Sequence, residues 1–596
     1  MNARNRWLLL AAGLMSLVLV SAAACSSGTS STDKTATAKA GTGAKTSTSG
    51  SPTSSTGGDK APADQQTITM QTGEPEFYDP HRSNFEQDIA VERMLFRGLY
   101  NLTDDGSGGV KVEPGAAAGD PTISGTDYTV KLKPGLKWSD GKPLVAGDFV
   151  YGFQRECDPT VASPYQYVLG AGLGELKGCD DLFNNKDATK TQALTDALGV
   201  KATDDTTLVF SLNKKVATFT TIWALWAAFP SRKDVITQFG DKWTDPANIV
   251  VNGPYKLTEV VAKDHATLKP NPNWSGQKPA IQQITIRFID DLSSAFKAFQ
   301  NGELQMTQIL ATDTTVAKGD SSLKSQLRIV PSARITTIEV QMKDPVLGAN
   351  GASADAVQKA YNLRLALARA INRQTLVDAV YDGVHAPATY WTVKGLRGFQ
   401  GNEPFDSKIG FNLDAAKKAL ADAGYPNGQG LPTFTLIYRD TAERHNEADF
   451  LVKAWKDIGV NVTPQFVDSK ARSAAFNAEQ FQLFQGGWQL DYPDIENPMV
   501  GLFDTGGGNN HYNCSRPDVD AAFKDAASAT SEDARIAAYK KVETSIVTNL
   551  CGIIPIYQDA LPYLVSSKLG GVVDNGTIDA QGPGTFCVEC WFVKKS

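Results

Sequence analysis

"KLKPGLKWSDGKPLVAGDFVYGFQRECDPTVASPY", residues 131–165, changes its hydrophobic period within a few turns of chain. With the four residues before it, "DYTVKLKPGLKWSDGKPL" alternates apolar and polar positions and is broken by Pro134-Gly135 and Asp140-Gly141. Alternation marks a half-buried strand, and Pro-Gly and Asp-Gly mark turns, so this part reads as strand, turn, strand. From Val145 the apolar residues recur at helical spacing, and "VAGDFVYGFQRECDP" is expected to be a helix capped near Gly147-Asp148. Strand and helix in quick succession point to an α/β body.

The same mixture extends outward. "QTITMQTGEPEFYDP" is a strand followed by a proline-rich turn, and "FEQDIAVERMLFRGLY" a helix. "TTLVFSL" and "AIQQITIRFID" are strands, "GPYKLTEVVAKDHATLKPNPNW" a hairpin, and "LSSAFKAFQNGEL" a helix stopped by Asn301-Gly302. Further on, "LRLALARAINRQTLVDAVYDG" and "NLDAAKKALADAGY" are amphipathic helices, "TFTLIYRD" a strand, and "HNEADFLVKAWKDIGVNVTPQFVD" a helix then a strand. "DARIAAYKKVETSIVTNL" reads as a helix and "GIIPIYQDALPYLVSS" as a strand pair.

A chain of 596 residues is too long for one core, so two or three domains are expected. A composition that is 41% hydrophobic and 21% charged is that of a soluble globular body, and a formal net charge of −7 argues against a nucleic-acid partner. His81, His265, His385, His445 and His511 stand alone without metal-ligand spacing, so neither metal nor cofactor is expected. No Gly-x-Ser-x-Gly or comparable nucleophile-base spacing occurs, so the chain does not read as an enzyme.

The N-terminus is a sorting signal over 1–24. Arg4 and Arg6 precede the apolar "WLLLAAGLMSLVLV", and "SAAAC" ends at Cys25. Small residues at 22–24 before Cys25 resemble a bacterial lipobox, with Ala22 where leucine is usual. That implies cleavage before Cys25 and lipid on its thiol and amine; plain secretion is the competing reading. Residues 25–66, dominated by Ser, Thr, Gly and Ala, cannot build a core and read as a flexible tether. Six further cysteines in an exported chain suggest three disulfides. Cys157 and Cys179, close in sequence, are expected to pair, while Cys514, Cys551, Cys587 and Cys590 leave three connectivities open.

The opening stretch, together with "GDKWTDPANIVVNGPYKL", "NPNWSG", "AFQNGEL", "LRLALARAINRQTLVDAV", "AKKALADAGYPNG" and "GGWQLDYPD", resembles the bacterial extracellular solute-binding proteins of the peptide and nickel family. The matches keep their order from about residue 67 to 560. The resemblance implies an α/β, two-lobed periplasmic-binding-protein type II fold with an extra inserted domain. One lobe would combine 67–95, 232–333 and 555–596, with the insertion at 96–231; the other would be 334–554. Ligand would sit between lobes that close by a hinge.

In peptide-binding members, the aspartate of the Trp-x-x-Asp-Tyr segment meets the ligand's α-ammonium, and Asp491 holds that position. A buried ammonium needs a fixed opposite charge to offset its desolvation. Trp488 and Tyr492 would wall the site, and Tyr165 matches a ligand-contacting tyrosine of the family. Gly487 and Gln489, with Asn84 and Phe85 opposite, would offer strand-like edges around 487–489 and 84–86 to an extended peptide. In the segment before Gly486, Gln485 replaces a basic residue and only Lys470 and Arg472 remain, so capture of a ligand carboxylate would fall to other groups such as Arg334 or His511. The expected function is capture of oligopeptides and their delivery to the permease subunits of an ABC importer, by a monomer anchored to the bacterial cell membrane through its lipid. The alternatives are a non-peptide cargo (oligosaccharide, nickel chelate or haem) or a peptide sensor; Trp223, Trp226, Trp391 and Trp488 keep sugar stacking open.

Overall fold

The computed structural model describes residues 59–106, 109–171, 173–575 and 585–595. The sorting signal, Cys25 and the tether up to residue 58 lie outside the described residues. Over 59–66 the tether expectation gives way to ordered chain: the Ala61 N–H donates to the Val593 carbonyl at 2.8 Å, and Gln66 is buried.

Two long strands organise the body, Leu327–Val340 and Ile553–Val565. They pair antiparallel along most of their length, with the register interrupted between Pro331/Ala560 and Ile335/Gln558. Here three residues, 332–334, oppose Asp559 alone, an irregularity that bends the ladder. On one side of the irregularity the pair is extended by Met306–Gln308, then Thr67–Thr72, Gln283–Phe288, His265–Pro270 and Tyr255–Val261. On the other it is extended by Leu483–Gln489, then Phe434–Arg439 and Val462–Val467. One mixed sheet of 11 strands, counting the short Ala386–Pro387, therefore runs through both lobes.

Sequence reading divided "GIIPIYQDALPYLVSS" into two strands and passed over Leu327–Val340. The structure makes each a single strand. Pro331, Pro555 and Pro562 lie within them and looked like breaks. Both strands are buried on both faces over much of their length, so alternation is lost and the period gives no signal. Likewise "LRLALARAINRQTLVDAVYDG" is not one helix. It divides between Ala354–Arg369 and Arg373–Tyr381, because the Asn372 side chain accepts the Thr375 N–H at 3.1 Å and starts a new helix.

The opening stretch folds as read at its ends. Asp127–Lys131 is a strand of a four-stranded antiparallel sheet, and Ala146–Glu156 is the helix. The expected second strand is only a bridge between Lys137 and Pro143. Asp148 accepts the Val145 N–H at 3.0 Å and the Trp138 indole N–H at 2.8 Å, tying helix start to turn. One apolar core runs from Ile68 through the 96–231 segment to Trp591, and a second occupies Ala333 to Tyr557. Cys157 pairs with Cys179, and the structure selects Cys514–Cys551 and Cys587–Cys590 from the three open connectivities.

Glu92 and Glu156 sit in the first core, both fully buried. Ser83 donates to Glu92 and Ser163 to Glu156. Burial raises both carboxyls well above their ordinary range, although the hydroxyl donors oppose it. A raised folded-state pKa means that the fold binds a proton the unfolded chain gives up. Stability therefore falls as pH rises from the unfolded carboxyl range toward the folded one. Glu92→Gln keeps the shape and removes the penalty. Thermal melts should show a higher Tm than wild type near about pH 7, with the gain vanishing toward about pH 4. A Tm difference independent of pH would contradict this account.

Candidate functional site

Leu483–Gln489 brings the Gly-Gly-Trp segment beside the long strand pair. It pairs antiparallel with Leu327–Val340, setting Gly487 against Thr336, Trp488 against Ile335 and Gln489 against Arg334. Its other edge is paired in parallel with Phe434–Arg439 at Leu483 and Phe484. Gly487 has φ +130°, and a Cβ there would lie 2.0 Å from the Ile335 carbonyl oxygen. Glycine is thus required by both backbone angle and contact.

Beyond the strand, the chain is held by the irregularity in the long pair. The Leu490 N–H donates to the Ala333 carbonyl at 2.9 Å, and the buried Gln558 amide donates to the Ser332 carbonyl at 2.9 Å. Asp491 follows at once. Asn497 folds back over it: the Asn497 side-chain carbonyl accepts the Trp488 indole N–H at 2.9 Å and the Asp491 N–H at 3.1 Å. Its amide donates to Asp491 Oδ2 at 3.2 Å, while the Tyr167 phenol donates to Asp491 Oδ1 at 3.0 Å. Burial pushes the Asp491 carboxyl up, and the Asn497 and Tyr167 donors oppose that shift.

A cavity of about 90 Å³ adjoins this carboxylate. Of the eight expected ligand residues, Asn84, Tyr165, Gln489, Asp491 and Tyr492 line it together; Phe85, Gly487 and Trp488 do not. Opposite Asp491 stands the helix Glu86–Leu95, which contributes Glu86, Ile89 and Arg93. The strand-like edge expected at 84–86 is therefore corrected: Phe85 is the N-cap of this helix, Glu86 is its first residue, and Asn84 leads into it. Tyr165 meets Trp226 edge-on at 4.6 Å between centroids, and burial pushes its phenol up to about 12.

Tyr492, expected to wall the site, does line the cavity, although it is only 2% exposed and its ring packs into the first core. Trp223 and Trp391 are buried away from the cavity, while Trp226, also largely buried, lines it. Trp488 is half-buried, its indole committed to Asn497. Arg472 stacks over Phe484 at 4.4 Å and donates to the Gln485 carbonyl, and His511 lies edge-on to Phe476 at 4.9 Å. Glu339, under the glycines, accepts the Gly487 N–H at 3.0 Å; burial raises its carboxyl to about 7. Sequence reading missed Tyr167, Asn497 and Glu339. Tyr167 was within reach, two residues after Tyr165 in "SPYQY"; nothing in the spacing marks the other two.

A sheet that runs through two lobes, with a carboxylate held by two side-chain donors beside a cavity, has the features of a binding protein. Residues 111–510 match the family described as "Bacterial extracellular solute-binding proteins, family 5 Middle". The chain belongs to that family, one of binding proteins with the two-lobed type II fold. Over 526 residues it is 30% identical to the periplasmic oligopeptide-binding protein OppA of Salmonella typhimurium, covering 87% of this chain and 91% of that one. It is 29% identical over 504 residues to the probable deoxycholate-binding periplasmic protein YgiS of Escherichia coli, covering 84% and 89%. The solved unliganded open form of MppA, a periplasmic murein tripeptide binding protein, superposes with a TM-score of 0.76 at 25% identity, covering 91% of this chain and 99% of that one.

Gly487→Ala should lower stability by about 1–3 kcal/mol, because the methyl group meets backbone on the partner strand and strains the left-handed angle. Urea denaturation measures it; a wild-type midpoint would show that the strand pair tolerates a side chain there.

Proposed function

We propose that the chain is the extracytoplasmic binding component of an ABC importer, capturing oligopeptides between its lobes and passing them to the permease subunits. It does so as a monomer held at the membrane by lipid on Cys25. The observation that carries the peptide reading is the Asp491 carboxylate, which lines the cavity at its lobe boundary with aromatic groups around it. An α-ammonium entering this cavity is desolvated and needs a fixed anion with free acceptor capacity. Tyr165 and Trp226 supply the apolar wall beside it.

Relatives carry names for peptide and for deoxycholate, so family membership alone leaves the cargo open. Site charge favours the peptide. A bile-acid anion would meet a like charge at Asp491, whereas a peptide's terminal ammonium meets an opposite one. In this reading Asp491 is the anchor, Asn84, Tyr165 and Gln489 line the path of the chain, and Trp488 and Gly487 act by shaping the Asp491 segment.

Two experiments test this. Asp491→Asn removes the charge with little change of shape. Truncating one member of a buried charge pair costs roughly 2–5 kcal/mol, so free-amine peptides should bind about ten-fold or much more weakly by calorimetry. N-acetylated peptides should bind weakly to both proteins. Equal losses for both peptide types would remove the ammonium anchor. Separately, Cys25→Ser should move the protein from the membrane fraction to the soluble fraction; labelled fatty acid that still migrates with the variant would rule out the lipobox.

A further inference from the structure

Tyr167 reaches Asp491 from a different part of the chain. It is the middle residue of the Gln166–Val168 turn of the 96–231 segment, whereas Asp491 and Asn497 belong to one short stretch after Leu483–Gln489. The Tyr167 phenol donates to one carboxylate oxygen at 3.0 Å and the Asn497 amide to the other at 3.2 Å. Asn497 is oriented by its own stretch, through Trp488 and the Asp491 N–H. Tyr167 is oriented by aromatic packing: its ring lies 5.6 Å from that of Tyr165, which in turn abuts Trp226. Asp491 and Tyr165 line the cavity, and Tyr167 holds Asp491 from outside that lining.

We propose that Tyr167 is a positioning residue for the ammonium anchor, fixing the Asp491 carboxylate so that its remaining acceptor positions face the cavity. This inference rests on the peptide reading of the same site. An ionised carboxylate offers about four acceptor positions, and two donors leave capacity for an ammonium. The tyrosine hydroxyl also counts electrostatically. Burial favours the neutral acid at Asp491, and a donated hydrogen bond favours the anion. Other ionisable groups at the site are Glu86 and Arg93 on the facing helix, with Tyr165 and Tyr492 on either side. With the phenol gone, the carboxyl takes up its proton at higher pH, and ammonium binding is lost sooner as pH falls.

The test is Tyr167→Phe, which keeps the ring against Tyr165 at a position 41% exposed, so the fold tolerates it; melting curves verify this. Calorimetry with one free-amine peptide and its N-acetylated twin is run from about pH 4.5 to about pH 8. The free-amine peptide should lose about ten-fold in affinity at the upper pH. The pH at which its binding falls off should rise by about one unit, and N-acetyl binding should stay at its wild-type value. Wild-type affinity with an unmoved fall-off overturns the proposal. So do equal losses for both peptides with an unmoved fall-off, which would make Tyr167 a packing residue. Asp491→Asn in parallel separates the two levels. If it keeps the preference for the free amine, the peptide reading fails; if it abolishes that preference while Tyr167→Phe behaves as wild type, only the positioning role fails.

Discussion

The interruption of one strand ladder, where residues 332–334 face Asp559, is the constraint from which the rest of the molecule follows. A continuous antiparallel pair would keep one regular register along its whole length. The irregularity bends it, so the strands on either side extend into separate lobes that still share one sheet. Its freed carbonyls are not left unpaired in the interior, which would be costly. Ser332 is satisfied by the Gln558 side chain and Ala333 by the Leu490 N–H. The second of these bonds attaches the segment that carries Asp491 to the junction between the lobes.

That attachment gives the site its position. Gly487 permits the close approach to Ile335, Leu490 docks on the junction, and Asp491 then stands one residue away, facing the helix Glu86–Leu95 across the cavity. The carboxylate receives donors from its own stretch and from the 96–231 segment. Its electrostatics therefore depend on both segments.

Recognition of the elements tracked burial. Strands covered on one face, such as Gln283–Phe288, announce themselves by alternation, and helices such as Leu292–Gln300 by spacing and their Asn-Gly stop. Leu327–Val340 and Ile553–Val565 are covered on both faces and carry three prolines, so they gave neither alternation nor an unbroken run. The elements hardest to read were those that join the lobes. The same holds for the site. Asp491 and Tyr165, which line the cavity, were singled out by the family resemblance, while Asn497 and Glu339 contact that segment through long-range or turn geometry with no periodic trace.

By itself the sequence determined the α/β class, the six cysteines available for pairing and the family resemblance, and it singled out Asp491 as a candidate charge. These are properties of local pattern, composition and motif, each carried by neighbouring residues. The tertiary structure alone decided which cysteines of the last four join, that 84–86 starts a helix and is not an edge, and that Trp223 and Trp391 belong to the core. It also decided that Tyr167 shares the Asp491 carboxylate, a contact across 324 residues of chain. Such contacts arise only when separate segments pack together, because burial and hydrogen-bond geometry are properties of the folded surroundings and not of the residue that experiences them.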